Sequence, residues 1–316
     1  MKIVLLDADT LGEVPAIDDF NQLGDFIKFG HTKPDDVINH LSGADVAITN
    51  KVVLSKEILS QLPDLKLICV AATGTDNIDI AFASEKGIPV KNVKGYSTDS
   101  VAQHSFSLLL HLLDKLEYYN NYVLSGEYCK SEIFTSLSRP YWEIKGKVYG
   151  IIGLGAIGKK VANIATAFGA KVIYYSTSGV HDDPDFERVG LEELLKQSDV
   201  ISIHSPLNDK THGLIGEKEF NLMKRNAILI NVGRGGIVNE NALIEALNND
   251  RIAGAGIDVF EKEPMASSSP ILKIKNKERL VVTPHIAWAS IEARGRLVEG
   301  IISNIKEWKA KVESTK

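Results

Sequence analysis

Three short stretches in the second half of the chain carry residues that could do chemistry. Each follows a run that reads as a buried strand. The first is Asn231-Val232-Gly233-Arg234-Gly235-Gly236. A guanidinium flanked by glycines is odd as packing, and its planar fork suits a carboxylate or a polarised carbonyl oxygen. The second is Asp258-Val259-Phe260-Glu261-Lys262-Glu263-Pro264, and the third is Thr283-Pro284-His285-Ile286-Ala287-Trp288. An imidazole with a carboxylate available can take up and release protons near neutral pH. Open α/β sheets bind their ligands outside the carboxyl ends of the strands, which is where all three stretches fall.

A fourth stretch, Gly153-Leu154-Gly155-Ala156-Ile157-Gly158, has the spacing G-x-G-x-x-G. Its context makes it informative: Lys147–Ile152 reads as a strand running into it, and residues 159–168 read as a helix running out. Gly153 would allow the tight turn, Gly155 the approach of a pyrophosphate, and Gly158 close packing of helix on sheet. The free N–H groups and positive dipole end of the helix then face the phosphates. An acid is expected at the end of the next strand, to bind ribose hydroxyls. The strand ends instead in Tyr174-Tyr175-Ser176-Thr177-Ser178-Gly179, and no Arg stands there to meet a 2′-phosphate. Ser176 and Thr177, with Ser178, are left as hydroxyl contacts to a ribose or a phosphate. NAD is the expected cofactor, with NADP left open.

The elements that must position these groups alternate along the chain. Ile3–Leu6, 45–49 and 67–71 read as buried strands, with helical patterns at 34–41 and 55–61 between them. Ser97–Ser100 offers N-cap residues, and Ser100 with Gln103 has capping-box spacing. The helix that follows, 101–116, is apolar nearly all round and so should be buried on most sides. Residues 120–146 read as a polar, aromatic-rich loop region. Stronger strands resume at 148–152, 171–175, 200–204, 227–232, 253–259 and 280–283. The final segment, 290–312, is amphipathic. Ile291, Leu297, Ile301, Ile302, Ile305 and Trp308 make its apolar stripe, and Arg294 and Arg296 fall on its wet side. The fold class is α/β, with two doubly wound parallel sheets, the second larger.

Composition narrows the function. At 316 residues the chain fits two domains, at about 150 residues each. Thirty-six basic against 41 acidic residues give a formal net charge of −5, which argues against a nucleic-acid surface or a polybasic membrane patch. With 44% hydrophobic and 24% charged residues the chain is globular rather than disordered. Two cysteines, Cys69 and Cys129, cannot make a disulfide framework or a Cys-rich metal site, and no metal is expected. No signal-peptide core and no run near the ~20 apolar residues of a membrane span are present, so the cytoplasm is the expected location.

The order of glycine loop, Arg, Glu and His, each with its flanking residues, resembles the D-isomer-specific 2-hydroxyacid dehydrogenases. The likeness runs from Ala71-Ala72-Thr73-Gly74-Thr75-Asp76-Asn77-Ile78-Asp79 to Trp288. It implies that Arg234, Glu263 and His285 fill the family's catalytic positions. It also implies a Rossmann NAD-binding domain, residues 98–288, inserted in a smaller flavodoxin-like substrate domain of residues 1–97 plus 289–316, with the catalytic site in the cleft. Arg234 would bind the carbonyl and one carboxylate oxygen of a 2-oxo acid. His285 would protonate the developing alkoxide, and Glu263 would orient the imidazole. Thr73, Gly74 and Thr75 match the substrate loop, where successive backbone N–H groups can hold a carboxylate. The carried-over cofactor contacts are Ala156 and Ile157 in the glycine loop, His204, Pro206 and Thr211 beside it, and Val232, Gly233, Arg234, Asp258 and His285 near the nicotinamide. Thr98 joins them where the chain crosses the cleft. His104 and His111 are read as packing residues.

Ile286-Ala287-Trp288 after His285, with Gly95–His104, looks like the glycerate dehydrogenase (hydroxypyruvate reductase) branch of that family. The expected reaction is therefore reduction of hydroxypyruvate to D-glycerate. Another 2-oxo acid (glyoxylate, pyruvate or a branched acid) and a non-catalytic NAD-sensing scaffold are the alternatives. A homodimer through the 101–116 region is expected, with no nucleic-acid or membrane partner.

Overall fold

The computed structural model describes residues 1–180 and 182–314. It divides into two units: Met1–Ser97 with the chain from Trp288 onward, and Thr98–Ala287. Residues 315–316 of the expected substrate domain lie outside the described residues.

In the first unit β1 (Lys2–Leu5), β2 (Asp25–Lys28), β3 (Val46–Thr49), β4 (Leu67–Val70) and β5 (Val90–Lys91) form a parallel sheet in the order β2-β1-β3-β4-β5. Short helices α1 (Val37–Leu41), α2 (Lys56–Leu59) and α3 (Ile80–Glu85) lie between the strands. The pleat sends Ile3 and Leu5 into one buried cluster and Val4 and Leu6 into another. Both faces are covered, which is why these strands read as unbroken apolar runs rather than alternating ones. The two edge strands, β2 and β5, escape that pattern because they are only partly buried.

The second unit opens with α4 (Thr98–Leu113) and α5 (Leu116–Leu124). The expected single helix over 101–116 thus starts three residues earlier and ends at Leu113, because Lys115 takes a left-handed backbone with φ of 55°. Ser100 falls inside α4, and its hydroxyl donates to the Ala287 carbonyl at 2.6 Å. The stretch read as loop from 120 holds the end of α5 and a 3-10 turn, Glu127–Lys130. Next come β6 (Val148–Ile152), α6 (Ala156–Ala167), β7 (Lys171–Tyr175), β8 (Glu187–Arg188), α7 (Leu191–Gln197) and β9 (Val200–Ile203). The unit closes with α8 (Glu217–Leu222), β10 (Ile228–Asn231), α9 (Glu240–Asn248), β11 (Gly254–Ile257) and β12 (Leu280–Val282).

Its seven strands are all parallel in the order β12-β11-β10-β9-β6-β7-β8. The chain leaves β6 toward β7 on one side and returns through β9 on the other, so the switch point of the sheet lies beside the glycine loop. α4 buries Phe106, Leu108, Leu109, Leu112 and Leu113, and it packs on α6, β10, β11 and β12. Its apolar character is therefore used within its own unit.

α10 (Ile291–Ser314) completes the first unit and buries Ala293, Leu297, Val298, Ile301 and Ile305. Ile302 and Trp308 pack partly against the same cluster, whereas Ile291 is 73% exposed and leaves the expected stripe. Arg294 is half-buried, whereas Arg296 stays exposed as expected. Arg294 Nη1 donates to the Leu11 carbonyl at 2.8 Å, and Arg296 Nε donates to the Tyr96 carbonyl at 2.8 Å. Cys69 is buried and Cys129 exposed, both free, and burial pushes the Cys69 thiol up to about 12. No helix among the described residues is long and apolar enough to cross a membrane.

Candidate active site

The carboxyl ends of the seven-stranded sheet bring most of the expected residues into one unit. The glycine loop joins β6 to α6. Gly153 holds φ at 92°, and a Cβ there would lie 2.9 Å from the Ser205 nitrogen. A Cβ on Gly158 would lie 2.2 Å from the Gly153 carbonyl oxygen. Both positions thus have local steric reasons to be glycine. Gly155 has none, since a Cβ there would meet nothing within 4 Å. It is the N-cap of α6, with no side chain capping the first turn, and Ala156 and Ile157 are the first helical residues. A bare helix N-terminus facing open space fits a bound pyrophosphate.

That space is a cavity of about 710 Å³ lined by Gly153, Gly155, Ser176, Thr177, His204 and Pro206, among others. His204 Nε2 lies 2.9 Å from the Ser202 hydroxyl. Its Nδ1, and the Ser205 hydroxyl next to it, are buried with no hydrogen-bond partner among the described residues. Burial lowers the His204 pKa to about 3, so the ring is neutral at pH 7. Two unmatched polar atoms beside a cavity are what a polar ligand would satisfy. The Thr211 hydroxyl is engaged elsewhere, donating to the Pro206 carbonyl at 2.7 Å and closing its own turn.

The Ser176–Gly179 end of the cavity differs from the expectation. Ser176 and Ser178 accept from the N–H groups of Gly179 and Val180 at 3.2 and 3.3 Å. An arginine does reach this turn. Arg188, from β8, donates through Nη2 to the Gly179 carbonyl at 3.0 Å and through Nη1 to Asp182 at 2.7 Å. Lys159 donates to Asp183 at 2.8 Å. Asp182 and Asp183 line the cavity. Two carboxylates therefore reach the cavity from the loop after β7, each paired with a cation. The Asp182-Asp183 pair was the available signal, offset from where the acid is usually sought.

At the other end of the cluster, Arg234 follows β10, with Nη1 donating to the Gly233 carbonyl at 2.9 Å. Asn231 clamps this turn: its amide donates to the Arg234 carbonyl at 3.1 Å and accepts from the Gly233 N–H at 3.1 Å. Val232 is buried beneath. A Cβ on Gly235 would lie 1.7 Å from the Phe260 carbonyl oxygen, so the Arg234 loop packs directly on the loop carrying Glu263. Glu263 accepts from the Phe260 N–H through Oε1 at 3.0 Å. Its Oε2 lies 2.7 Å from His285 Nδ1, with the two side chains 30% and 23% exposed.

Asp258 holds the turn that carries His285. Its wholly buried carboxylate accepts from the Thr283 hydroxyl at 2.6 Å and from the N–H groups of Ile286 and Ala287 at 2.8 and 2.9 Å. The His285 N–H donates to the Asp258 carbonyl at 2.7 Å, and His285 itself sits at φ 55°. His104, read as packing, joins this network: its Nε2 lies 3.0 Å from the Thr283 hydroxyl and 3.6 Å from Asp258. The Thr283 proton goes to the carboxylate, so His104 is the donor to Thr283. His111 lies 3.7 Å from Glu117.

Three expected residues are in the other unit. Thr73, Gly74 and Thr75 follow β4, and the Thr73 hydroxyl donates to the Val93 carbonyl at 3.1 Å. Thr98 is the first residue of α4.

A family model described as "D-isomer specific 2-hydroxyacid dehydrogenase, NAD binding domain" matches residues 106–287. A glycerate dehydrogenase from Methylorubrum extorquens is 40% identical over 98% of this chain and 96% of its own length. A hydroxypyruvate reductase from Blautia hydrogenotrophica is 36% identical over 98% and 97%. A glyoxylate reductase from Thermococcus litoralis is 45% identical over 82% and 77%. Among solved structures, an acyclic imino acid reductase in complex with NADPH and D-Arg superposes with a TM-score of 0.86 at 34% identity, covering 98% of each chain. D-lactate dehydrogenase from Aquifex aeolicus, complexed with NAD and lactic acid, superposes with 0.84 at 31% identity, covering 99% of this chain and 96% of that one.

Proposed function

The chain belongs to the D-isomer-specific 2-hydroxyacid dehydrogenase family, and from that footing we propose that it reduces hydroxypyruvate to D-glycerate with NADH. The observation that carries the chemistry is the His285–Glu263 pair, 2.7 Å apart on a turn pinned by Asp258 and on the same strand ends as the glycine loop. With Nδ1 donating to the carboxylate, Nε2 is the nitrogen left to exchange a proton. The reduced nicotinamide, when bound, supplies the hydride. Arg234 holds the carboxylate and carbonyl oxygens of the substrate and polarises the carbonyl. His285 gives its proton to that oxygen as the carbon is reduced, and Glu263 keeps the ring aligned. Thr73, Gly74 and Thr75 serve the substrate carboxylate.

Gly153, Gly155, Ala156, Ile157 and Gly158 hold the pyrophosphate, and Ser176, Thr177, Asp182 and Asp183 surround the adenosine ribose. NADH is preferred over NADPH because Arg188 and Lys159 are each engaged by an aspartate. A 2′-phosphate would meet carboxylates where it needs cations. Hydroxypyruvate is favoured by the 40% identical glycerate dehydrogenase and by Ile286-Ala287-Trp288 beside His285. Glyoxylate is the second substrate, favoured by the glyoxylate reductase likeness.

The functional unit is a homodimer, a reading supported by apolar side chains exposed beyond α4. Leu124, Phe134 and Leu137 are 77%, 89% and 81% exposed, three large apolar side chains turned to solvent by one segment. The test of the activity is oxidation of NADH and NADPH with hydroxypyruvate, glyoxylate, pyruvate and 2-oxoisovalerate. Hydroxypyruvate with NADH should give the highest kcat/KM. A higher value with pyruvate or the branched acid would move the enzyme to another branch of the family.

A further inference from the structure

A second large cavity, of about 470 Å³, opens at the amino ends of the same seven-stranded sheet, away from the glycine loop. Roughly 300–1,000 Å³ is the ordinary range for a small-molecule site. Arg225 leads into β10, Asp250 into β11, and Glu278 and Arg279 into β12; Lys115 and Arg139 complete the charged lining. Four cations against two carboxylates leave an excess of positive charge, in a chain whose formal net charge is −5.

The two carboxylates are already engaged. Glu278 accepts from Arg139 through Nε at 2.9 Å and Nη2 at 3.3 Å. Asp250 lies 2.5 Å from Arg279 Nη1, and its carbonyl accepts from Arg225 Nε at 3.2 Å. Arg279 Nη1 also reaches the Leu247 carbonyl at 3.5 Å, which leaves Nη2 of Arg279 and both Nη groups of Arg225 without a hydrogen bond among the described residues. Lys115 is the odd member: its ammonium has no hydrogen bond or ion pair among the described residues. It is partly buried on the residue whose left-handed backbone separates α4 from α5. Burial lowers its pKa, Glu278 works against that, and Arg279 and Arg139 add to the lowering. A half-buried cation beside three arginines, in a site whose two carboxylates are already paired, favours the arrival of a further anion.

We propose that this cavity binds a small dianion, a phosphate or a dicarboxylate, with Lys115 as its central contact and Arg225 and Arg279 as forked donors around it. Guanidinium and ammonium groups together suit that chemistry, the forks giving bidentate contacts and the lysine a point charge. None of these residues takes part in the hydride transfer described above, so the proposal stands apart from that reading.

The test is calorimetric titration of the full chain, saturated with NADH, with inorganic phosphate and separately with malonate. Sodium chloride at matched ionic strength controls for screening. At least one dianion should bind with one site per chain. Lys115→Met and Arg225→Met should each weaken it about tenfold or more, with NADH affinity and hydroxypyruvate turnover unchanged. No saturable heat with either dianion would overturn the proposal, as would equal affinity in Lys115→Met. If Lys115→Met instead weakened self-association while neither dianion bound, an acidic group of a second copy would be the occupant and the proposal would be wrong.

Discussion

In the proposed reaction His285 acts through one nitrogen, because the other is committed to Glu263 at 2.7 Å. His285→Ala should therefore lower kcat by about 10²–10⁴-fold, the usual worth of a positioned acid–base group. NADH affinity, read by fluorescence titration, should stay within about twofold, and parallel loss of binding and turnover would make His285 a structural residue. The stretches holding Arg234, Glu263 and His285 stand out in the sequence because each is a short string of charged or titratable residues after a strand, while their proposed roles come only with the family resemblance. Asp182 and Asp183 do not, because their loop returns to the cavity from beyond the end of β7. His104 is hidden for a related reason: its partner Thr283 is 179 positions away.

At the scale of elements, the catalytic turn depends on a carboxylate that need not touch substrate. Asp258 satisfies a hydroxyl and two N–H groups from a fully buried position. Asp258→Ala would leave those donors unmatched and should cost about 3 kcal/mol in denaturant unfolding. Thr283→Val, which loses the hydroxyl's contacts to Asp258 and His104, should cost less, about 1–2 kcal/mol. Equal costs would mean the turn is held by something else. His204, after β9, makes a pH prediction. Its folded pKa of about 3 lies below the ordinary 6.5, so the unfolded chain takes up the proton first. The stability it contributes is whole above 6.5 and declines as pH falls from there toward 3. His204→Gln should flatten the acid limb of the unfolding free energy by at most about 1.4 kcal/mol per pH unit. An unchanged slope would mean the ring is solvated. Central strands and α4 are readable from apolar runs, whereas β2, β5 and β8 are partly exposed edges with little such signal. The break at Lys115 is equally silent, since a left-handed backbone there follows from packing rather than from a glycine.

At the scale of the whole molecule, apolarity on α4 argues for the interior of its own unit, while the exposed apolar residues beyond it argue for a second copy. Phe134→Asp combined with Leu137→Asp should shift sedimentation from dimer to monomer with the fold intact by circular dichroism. A wild type that sediments as a monomer would remove that reading. The doubly wound sheets are legible because strand and helix signals alternate, but nothing in strand order alone says that α10 completes the sheet begun by β1. If this family's machinery is set here to make D-glycerate, incubating the protein with hydroxypyruvate and NADH and resolving the product by chiral chromatography will show it. D-glycerate in amounts equal to the NADH oxidised is the expected result, and L-glycerate, or no glycerate while another 2-oxo acid is reduced rapidly, would contradict it.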